Sequence, residues 1–267
     1  MWGSRYKQSH RGFWGRAMIK PIVQMHDGIL VVRDDLYPGG TKARFLPLLF
    51  NGVNEVVYAS PPEGGAQTAL AVCAQSLGKH ATIFVAKRKK PHPRALMAKR
   101  LGATVVQVKP GYLSVVQARA KAYCKFSGAR LVPFGVDLPE AIAIIAEAAK
   151  SIEEEPDEVW CAAGSGVLAR GLAKAWPNAK RHVVQVGRQL TSLDVAGAII
   201  HVYPQPFSTE CPLSTPFPAD HHYDAKAWQV AVKNSGPGKV LFWNVTGPAK
   251  IEKETGGKAV LEDEDEC

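Results

Sequence analysis

The stretch "EVWCAAGSGVLARGLAKAWPNAKRHVVQVG", residues 158–187, decides the fold. EVWCAA is an apolar run of strand length. Gly164-Ser165-Gly166 turns the chain, VLARGLAKAW carries a helical pattern up to Pro177, and RHVVQVG reads as a second strand. Strand, short glycine turn, helix and strand together make the repeating unit of a parallel sheet wrapped by helices.

The alternation extends in both directions. Upstream, strands are expected at 28–34, 55–60 (EVVYAS), 81–86 (ATIFVA), 104–108 (TVVQV) and 129–135. Between them lie helical patterns at 66–78, 91–102, 113–128 and 138–154, three of them closed by Gly78, Gly102 and Gly128. "TKARFLPLLF" (41–50) reads as a further helix start, with Pro47 awkwardly inside it. After residue 200 a proline-rich stretch predicts an irregular loop, followed by a helix at 224–234 and a strand in "GKVLFWNVTG" (238–247). The fold class is α/β.

Composition bounds the function. At 267 residues the chain is long enough for one or two domains, with 46% hydrophobic and 21% charged residues. No apolar run is long enough to span a bilayer, and residues 1–20 form a basic, aromatic arm without the apolar core of a secretory signal. A cytoplasmic location is the expectation. The cysteines show no C-x-x-C pairing and the histidines no metal-ligand spacing, so no disulfide framework and no metal are expected. Net charge is +9. Set aside the five acids of 262–266, and 33 basic residues face 19 acids, +14, which favours anionic partners such as phosphorylated cofactors, nucleotides or nucleic acid.

Four places could carry chemistry. Gly164, Ser165, Gly166, Val167 and Leu168 form a turn whose backbone N–H groups and following helix suit a phosphate. It is neither a Walker loop nor a complete G-x-G-x-x-G, and such turns also serve simply to pack helix on strand. "SPPEGGAQT" (60–68), containing Glu63, Gly64, Gly65, Ala66 and Gln67, lies at another strand-to-helix handover, where α/β ligands bind. Lys42 follows the turn Pro38-Gly39-Gly40. An amine beside helix N-termini and other cations is more readily uncharged and nucleophilic. Thr246 offers a hydroxyl at the end of the last strand.

In this order the motifs resemble the fold-type II pyridoxal-phosphate (PLP) enzymes, the tryptophan synthase β family. The similarity is greatest to the branch of 1-aminocyclopropane-1-carboxylate deaminase and D-cysteine desulfhydrase. "VVRDDLYPGGTKARFLPLL" is similar to that branch's RDDL…GG…K segment, and "GSGVLARGL" to the family's phosphate loop. "MAKRLGATVVQV", "YDAKAWQVAV" and "GKVLFWNVTGP" match further segments, so the likeness runs over most of 28–249. The resemblance implies two parallel-sheet α/β lobes with PLP in the cleft between them. The large lobe would comprise 21–50 and 136–250 and the smaller 51–135, flanked by the arm 1–20 and an acidic tail 251–267. It implies Lys42 as the residue of the internal aldimine, Gly164 to Leu168 as donors to the 5′-phosphate, and Thr246 beside the pyridine nitrogen. Glu63 to Gln67 would be the substrate loop, and the assembly a homodimer.

The substrate loop departs from the family. Glu63 stands where relatives carry a hydroxyl, and Gly65 where they carry asparagine. A carboxylate there opposes a free substrate carboxylate. The leading expectation is a lyase, deaminase or decarboxylase acting at Cα or Cβ of an amino acid. An alternative is a PLP-dependent decarboxylase or lyase acting on an amino acid attached to a nucleotide or DNA base, as in phage thymine hypermodification. Two others are a non-catalytic α/β nucleic-acid-binding relative and a nucleotide-binding Rossmann protein, the last lacking a full glycine fingerprint.

Overall fold

The computed structural model describes residues 20–109, 112–249 and 262–263. Most of the basic arm and of the acidic tail therefore lies outside the described residues. In chain order the strands are β1 (Val23–His26), β2 (Ile29–Arg33), β3 (Glu55–Ser60), β4 (His80–Ala86), β5 (Thr104–Val108), β6 (Arg130–Leu131), β7 (Glu158–Ala163), β8 (Lys180–Gln185), β9 (Ile199–Val202), β10 (Val240–Asn244) and β11 (Glu262–Asp263). The α-helices are α1 (Ala66–Leu77), α2 (Pro93–Arg100), α3 (Leu113–Ser127), α4 (Pro139–Lys150), α5 (Val167–Ala175) and α6 (Asp224–Asn234).

Two compact units divide the chain. One contains residues 20–44 and Pro133–Pro248, built on a six-stranded sheet in the order β1-β2-β10-β7-β8-β9. All neighbours in it are parallel except β1 and β2, which form a hairpin through Asp27-Gly28. On one sheet face Ile29, Val31, Trp160, Ala162, Val184 and Phe242 pack with Ala227, Trp228 and Ala231 of α6. The other unit contains Phe45–Val132 and, from the chain's end, β11. Its sheet, β11-β5-β4-β3-β6, is parallel throughout, and α3 covers Val57, Ala59, Phe84, Val106 and Val108 through Val116 and Ala120. Helix starts and stops follow local chemistry. Pro93 and Pro139 open α2 and α4, and Gly78 and Gly128 close α1 and α3 in the left-handed region.

The structure differs from sequence expectation at 41–50. Instead of one α-helix there are two short 3-10 turns, Gly40–Arg44 and Leu46–Phe50. Pro47 lacks the N–H that would continue a ladder, and Phe45 at φ −125° separates the two turns. The helix expected over 138–154 stops at Lys150. β1 and β9, which no apolar run announced, are largely solvent-facing edge strands.

Helices α4 and α5 meet through a glycine. A Cβ on Gly171 would stand 2.4 Å from Ile145 Cγ2 and 3.3 Å from the Ile142 carbonyl. Gly171→Ala should therefore destabilise the protein by about 1–3 kcal/mol through overpacking. In urea unfolding, the cost should shrink when Ile145→Ala is added, and strictly additive losses would count against this contact.

Candidate active site

β2, β10 and β7 are consecutive and parallel in their sheet, so their carboxyl ends open into three loops about 5 Å apart. The β2 loop carries Lys42, the β10 loop Thr246, and the β7 loop the glycine turn 164–166. The topology thus brings the sequence-predicted Lys42, Thr246 and Gly164–Leu168 to one edge of one sheet.

The RDDL segment holds the lysine turn in place. Asp34 is fully buried, and its Oδ2 accepts from Thr41 Oγ1 (2.7 Å), Trp243 Nε1 (3.0 Å) and Arg44 Nε (3.1 Å). Its Oδ1 pairs with Arg44 Nη2 at 2.5 Å, both side chains being almost wholly out of solvent. Asp35 binds Arg33 through both oxygens at 2.8 Å and accepts from Asn244 Nδ2 at 2.7 Å. Residues on either side of Lys42, Thr41 and Arg44, are therefore tied to β10 through one carboxylate. Gly40, at φ +63°, lets the turn approach the end of that strand. A Cβ there would lie 2.2 Å from the Val245 carbonyl, which accepts from the Thr41 amide at 2.9 Å.

Sequence reasoning missed two residues, Tyr223 and Asp224, at the start of α6. Tyr223 Oη accepts from the Gly164 amide at 3.0 Å and donates to the Ala162 carbonyl at 3.3 Å. Asp224 is 0% exposed, and its Oδ2 accepts from the Thr246 amide at 3.2 Å. Burial pushes the Asp224 carboxyl well above the ordinary carboxylate range, and the nearby Asp220 pushes the same way. The Val245 and Thr246 amides and the charge of Lys42 pull against it. Asp224 thus senses Lys42 electrostatically and Thr246 by hydrogen bond, while its neighbour Tyr223 grips the glycine turn. Asp224 Oδ1 is buried and makes no hydrogen bond among the described residues. The only advance signal was an acid one residue after a tyrosine at a helix start.

The glycine turn is itself built for close approach. Gly166, at φ +85°, precedes α5, and a Cβ there would stand 2.0 Å from the Asp194 carbonyl. The turn leads into the amide-rich first turn of α5, where no acidic side chain competes for the N–H groups. Gly164 differs from expectation in one respect, because its N–H already faces the Tyr223 hydroxyl.

Glu63, Gly64, Gly65, Ala66 and Gln67 belong to the other unit, at the carboxyl end of β3. Glu63 is buried and paired with Arg88 Nη2 at 2.8 Å. Gln67 Nε2 donates to the carbonyls of Pro61 (2.9 Å) and Pro62 (2.7 Å), fixing the loop. The carboxylate at this departure from the family pattern is thus charge-compensated. No group of three or more His, Cys, Asp or Glu side chains among the described residues is placed to hold a metal ion. No helix among them is long and apolar enough to cross a membrane.

Parallel sheets, a lysine and a phosphate-type turn at one carboxyl edge define the α/β class in which PLP enzymes occur. A crystal structure of an ACC deaminase homologue is similar with a TM-score of 0.72 at 16% identity, over 86% of this chain and 90% of that one. Threonine deaminase isoform 2 of Solanum lycopersicum is similar at 0.64 and 14% identity, over 88% and 80%. The pyridoxal-phosphate dependent enzyme family matches residues 26–216, and the chain belongs to it. A glycyl-dTMP PLP-dependent decarboxylase of Pseudomonas phage M6 is 25% identical over 213 residues, 66% of this chain and 76% of that protein. The fold is that of fold-type II, and the cofactor is PLP. The residues present fit that group, since an amide-rich turn suits its phosphate and an orphaned buried carboxylate oxygen suits its ring nitrogen.

Asp224 makes stability pH-dependent. Its folded pKa lies above the ordinary 3.8, so its contribution favours folding below that value and is lost as pH rises through the folded pKa. Asp224→Asn removes the charge and keeps an acceptor for Thr246. Without PLP, the variant should match wild type near pH 4 and melt higher at pH 8, by about 2–4 °C per kcal/mol recovered. A melting difference that does not change with pH would refute the assignment.

Proposed function

We propose that this PLP-dependent enzyme removes CO2 from an amino acid carried on a nucleotide. The observation that supports this most is the relationship to a phage enzyme whose name gives glycyl-dTMP as substrate and decarboxylation as reaction. The altered substrate loop agrees. It lacks the hydroxyl with which family members clamp a substrate carboxylate, and has Glu63 paired to Arg88 instead. A loop that does not stabilise the carboxylate suits a reaction in which that group leaves.

Bound PLP supplies the electron sink that allows a bond at Cα to break. In this reading Lys42 would be the residue that holds the cofactor through its amine and would return a proton to Cα. The amides of Ser165, Gly166, Val167 and Leu168 donate to the phosphate, and Gly164 supports the turn through Tyr223. Asp224, with Thr246 beside it, would be the group available to the ring nitrogen, an acid that could share a proton with it where the sequence alone suggested only a hydroxyl. A substrate held through the same cofactor would need a free primary amine, which would put the nucleotide on the carbon side of Cα. The balance is R–CH(NH3+)–COO− plus H+ giving R–CH2–NH3+ plus CO2.

Borohydride reduction of the PLP-loaded protein should leave a pyridoxyl phosphate on the tryptic peptide bearing Lys42, and Lys42→Ala should lose both this adduct and the visible absorption band. Labelled CO2 should be released from a nucleotide-linked amino acid carrying a free α-amine. Release of ammonia and a keto acid, with no CO2, would replace this reading with that of a deaminase.

A further inference from the structure

The loop after β8 is built around an arginine. β8 ends beside β7, with Gln185 opposite Ala163, and a Cβ on Gly187 would stand 4.0 Å from the Gly164 Cα. The loop returns to the same turn at Asp194, whose carbonyl would lie 2.0 Å from a Cβ on Gly166. Arg188 thus opens a loop that touches the glycine turn at both ends. Its Nη2 donates to Asp194 Oδ1 at 2.6 Å. Its Nη1 donates to Asp194 Oδ2 at 3.4 Å and to the Gln189 carbonyl at 3.1 Å. The guanidinium, with the Thr191 N–H and hydroxyl, holds the Asp194 carboxyl well below the ordinary carboxylate range, so the pair stays charged at neutral pH.

Folding the loop does not require this arginine. Thr191 already ties Asp194 through its amide and its hydroxyl, both at 2.8 Å, and the Leu190 amide is held by Gln185 Oε1 at 2.7 Å. A partly exposed ion pair of this kind adds little stability. What the pair does is orient the guanidinium. Asp194 takes one hydrogen from each Nη, and Gln189 takes the other from Nη1. The Nε–H and the second Nη2 hydrogen remain, parallel on one edge, and neither meets an acceptor among the described residues. That edge is the fork that fits two oxygens of a phosphate. Lys42 stands on the loop of β2, three strand spacings or about 14 Å across the sheet from β8. A small amino acid reacting at Lys42 does not span that distance. One carried on a nucleotide brings a phosphate that lies a base and a sugar away from its Cα. We infer that Arg188, held by Asp194, is a phosphate subsite for the nucleotide part of the substrate. This deepens the nucleotide-linked reading above and rests on it. Two phosphates compete for a guanidinium here, the substrate's and that of PLP one strand away. The Arg188 side chain is 45% exposed, and the glycine turn already offers the cofactor phosphate amides with no competing acid, which favours the substrate's. The experiment separates the two.

The PLP-loaded enzyme would be titrated with dTMP and with thymidine by calorimetry, comparing wild type with Arg188→Gln and Arg188→Lys. Circular dichroism checks folding, and the visible band after dialysis measures how much PLP each protein keeps. Wild type should bind dTMP about tenfold or more tightly than thymidine. Arg188→Gln should weaken dTMP by about tenfold to a hundredfold, the range of charge-assisted hydrogen bonds, and leave thymidine unchanged. Arg188→Lys keeps the charge without the fork and should recover only part of the loss, and it carries the comparison if the glutamine variant does not fold. PLP retention should be the same in all three. Equal affinity of wild type for dTMP and thymidine, or variants that bind dTMP like wild type, would overturn the inference. So would loss of PLP from Arg188→Gln with the dTMP preference kept, which would assign the guanidinium to the cofactor phosphate. CO2 release separates the subsite from the reaction. If wild type decarboxylates a nucleotide-linked amino acid and Arg188→Gln does so with the same KM, the subsite is wrong and the reaction stands. If Arg188→Gln loses the dTMP preference as expected but wild type releases no CO2 from any nucleotide-linked amino acid, the subsite stands and the reaction is wrong.

Discussion

The Asp34 carboxylate is the point on which the site depends. Removing a charge from water costs several kcal/mol unless paired and hydrogen-bonded, and Asp34 has no solvent at all. Its compensation is complete, with a guanidinium on both oxygens, a hydroxyl and an indole N–H. The partners come from two separate segments, Thr41 and Arg44 from the lysine turn and Trp243 from β10. Satisfying the charge therefore fixes the Lys42 turn against the strand that also presents Thr246. Gly40 makes the distance short enough, and a side chain there would push the turn off the Val245 carbonyl.

Asp224 works in the opposite sense. It too is fully buried, but one oxygen makes no hydrogen bond among the described residues, and burial outweighs the amides and Lys42 in setting its protonation. An under-satisfied buried carboxylate costs on the order of 1–3 kcal/mol and persists where something else is gained. Here it stands at the carboxyl edge of the sheet, bonded to the Thr246 amide and within electrostatic reach of Lys42. A satisfied carboxylate thus builds the frame around the Lys42 turn, while an under-satisfied one sits at the start of α6. Because Tyr223 and Asp224 are consecutive, one helix start serves both the glycine turn and the Thr246 loop.

The parts legible in the sequence were those with local causes. Apolar runs separated by glycine turns announce β3, β4, β5, β7 and β10 because fully buried parallel strands must be apolar on both faces. The order of the lysine turn, glycine turn and Thr-Gly strand was readable for the same reason, since each sits at a strand's carboxyl end. Tertiary causes were not readable. β1 is a largely exposed edge, with only the Asp27-Gly28 pair to signal its hairpin. The turn around Lys42 looked helical by composition, yet its backbone follows the pull of Asp34 and Val245 from distant segments. Asp224 could not be picked out because its significance is its burial, and an acid at a helix start ordinarily needs no more explanation than the helix dipole.

Residues 45–132 contain thirteen lysines and arginines against two acids, Glu55 and Glu63, a net +11. A segment of that charge repels itself, and that repulsion opposes compaction unless anions are bound or the charges are spread. Spreading them would have served solubility equally well. Instead four consecutive cations follow β4 and another follows β5, where Glu63 is paired with Arg88 and the acidic strand β11 lies alongside β5. The Arg88–Glu63 pair also ties the segment after β4 to the loop that departs most from the family pattern. A substrate that brings its own phosphates has no need of a clamp on its carboxylate, because binding energy gathered at the phosphates can hold the amino acid in place while the carboxylate is left without support.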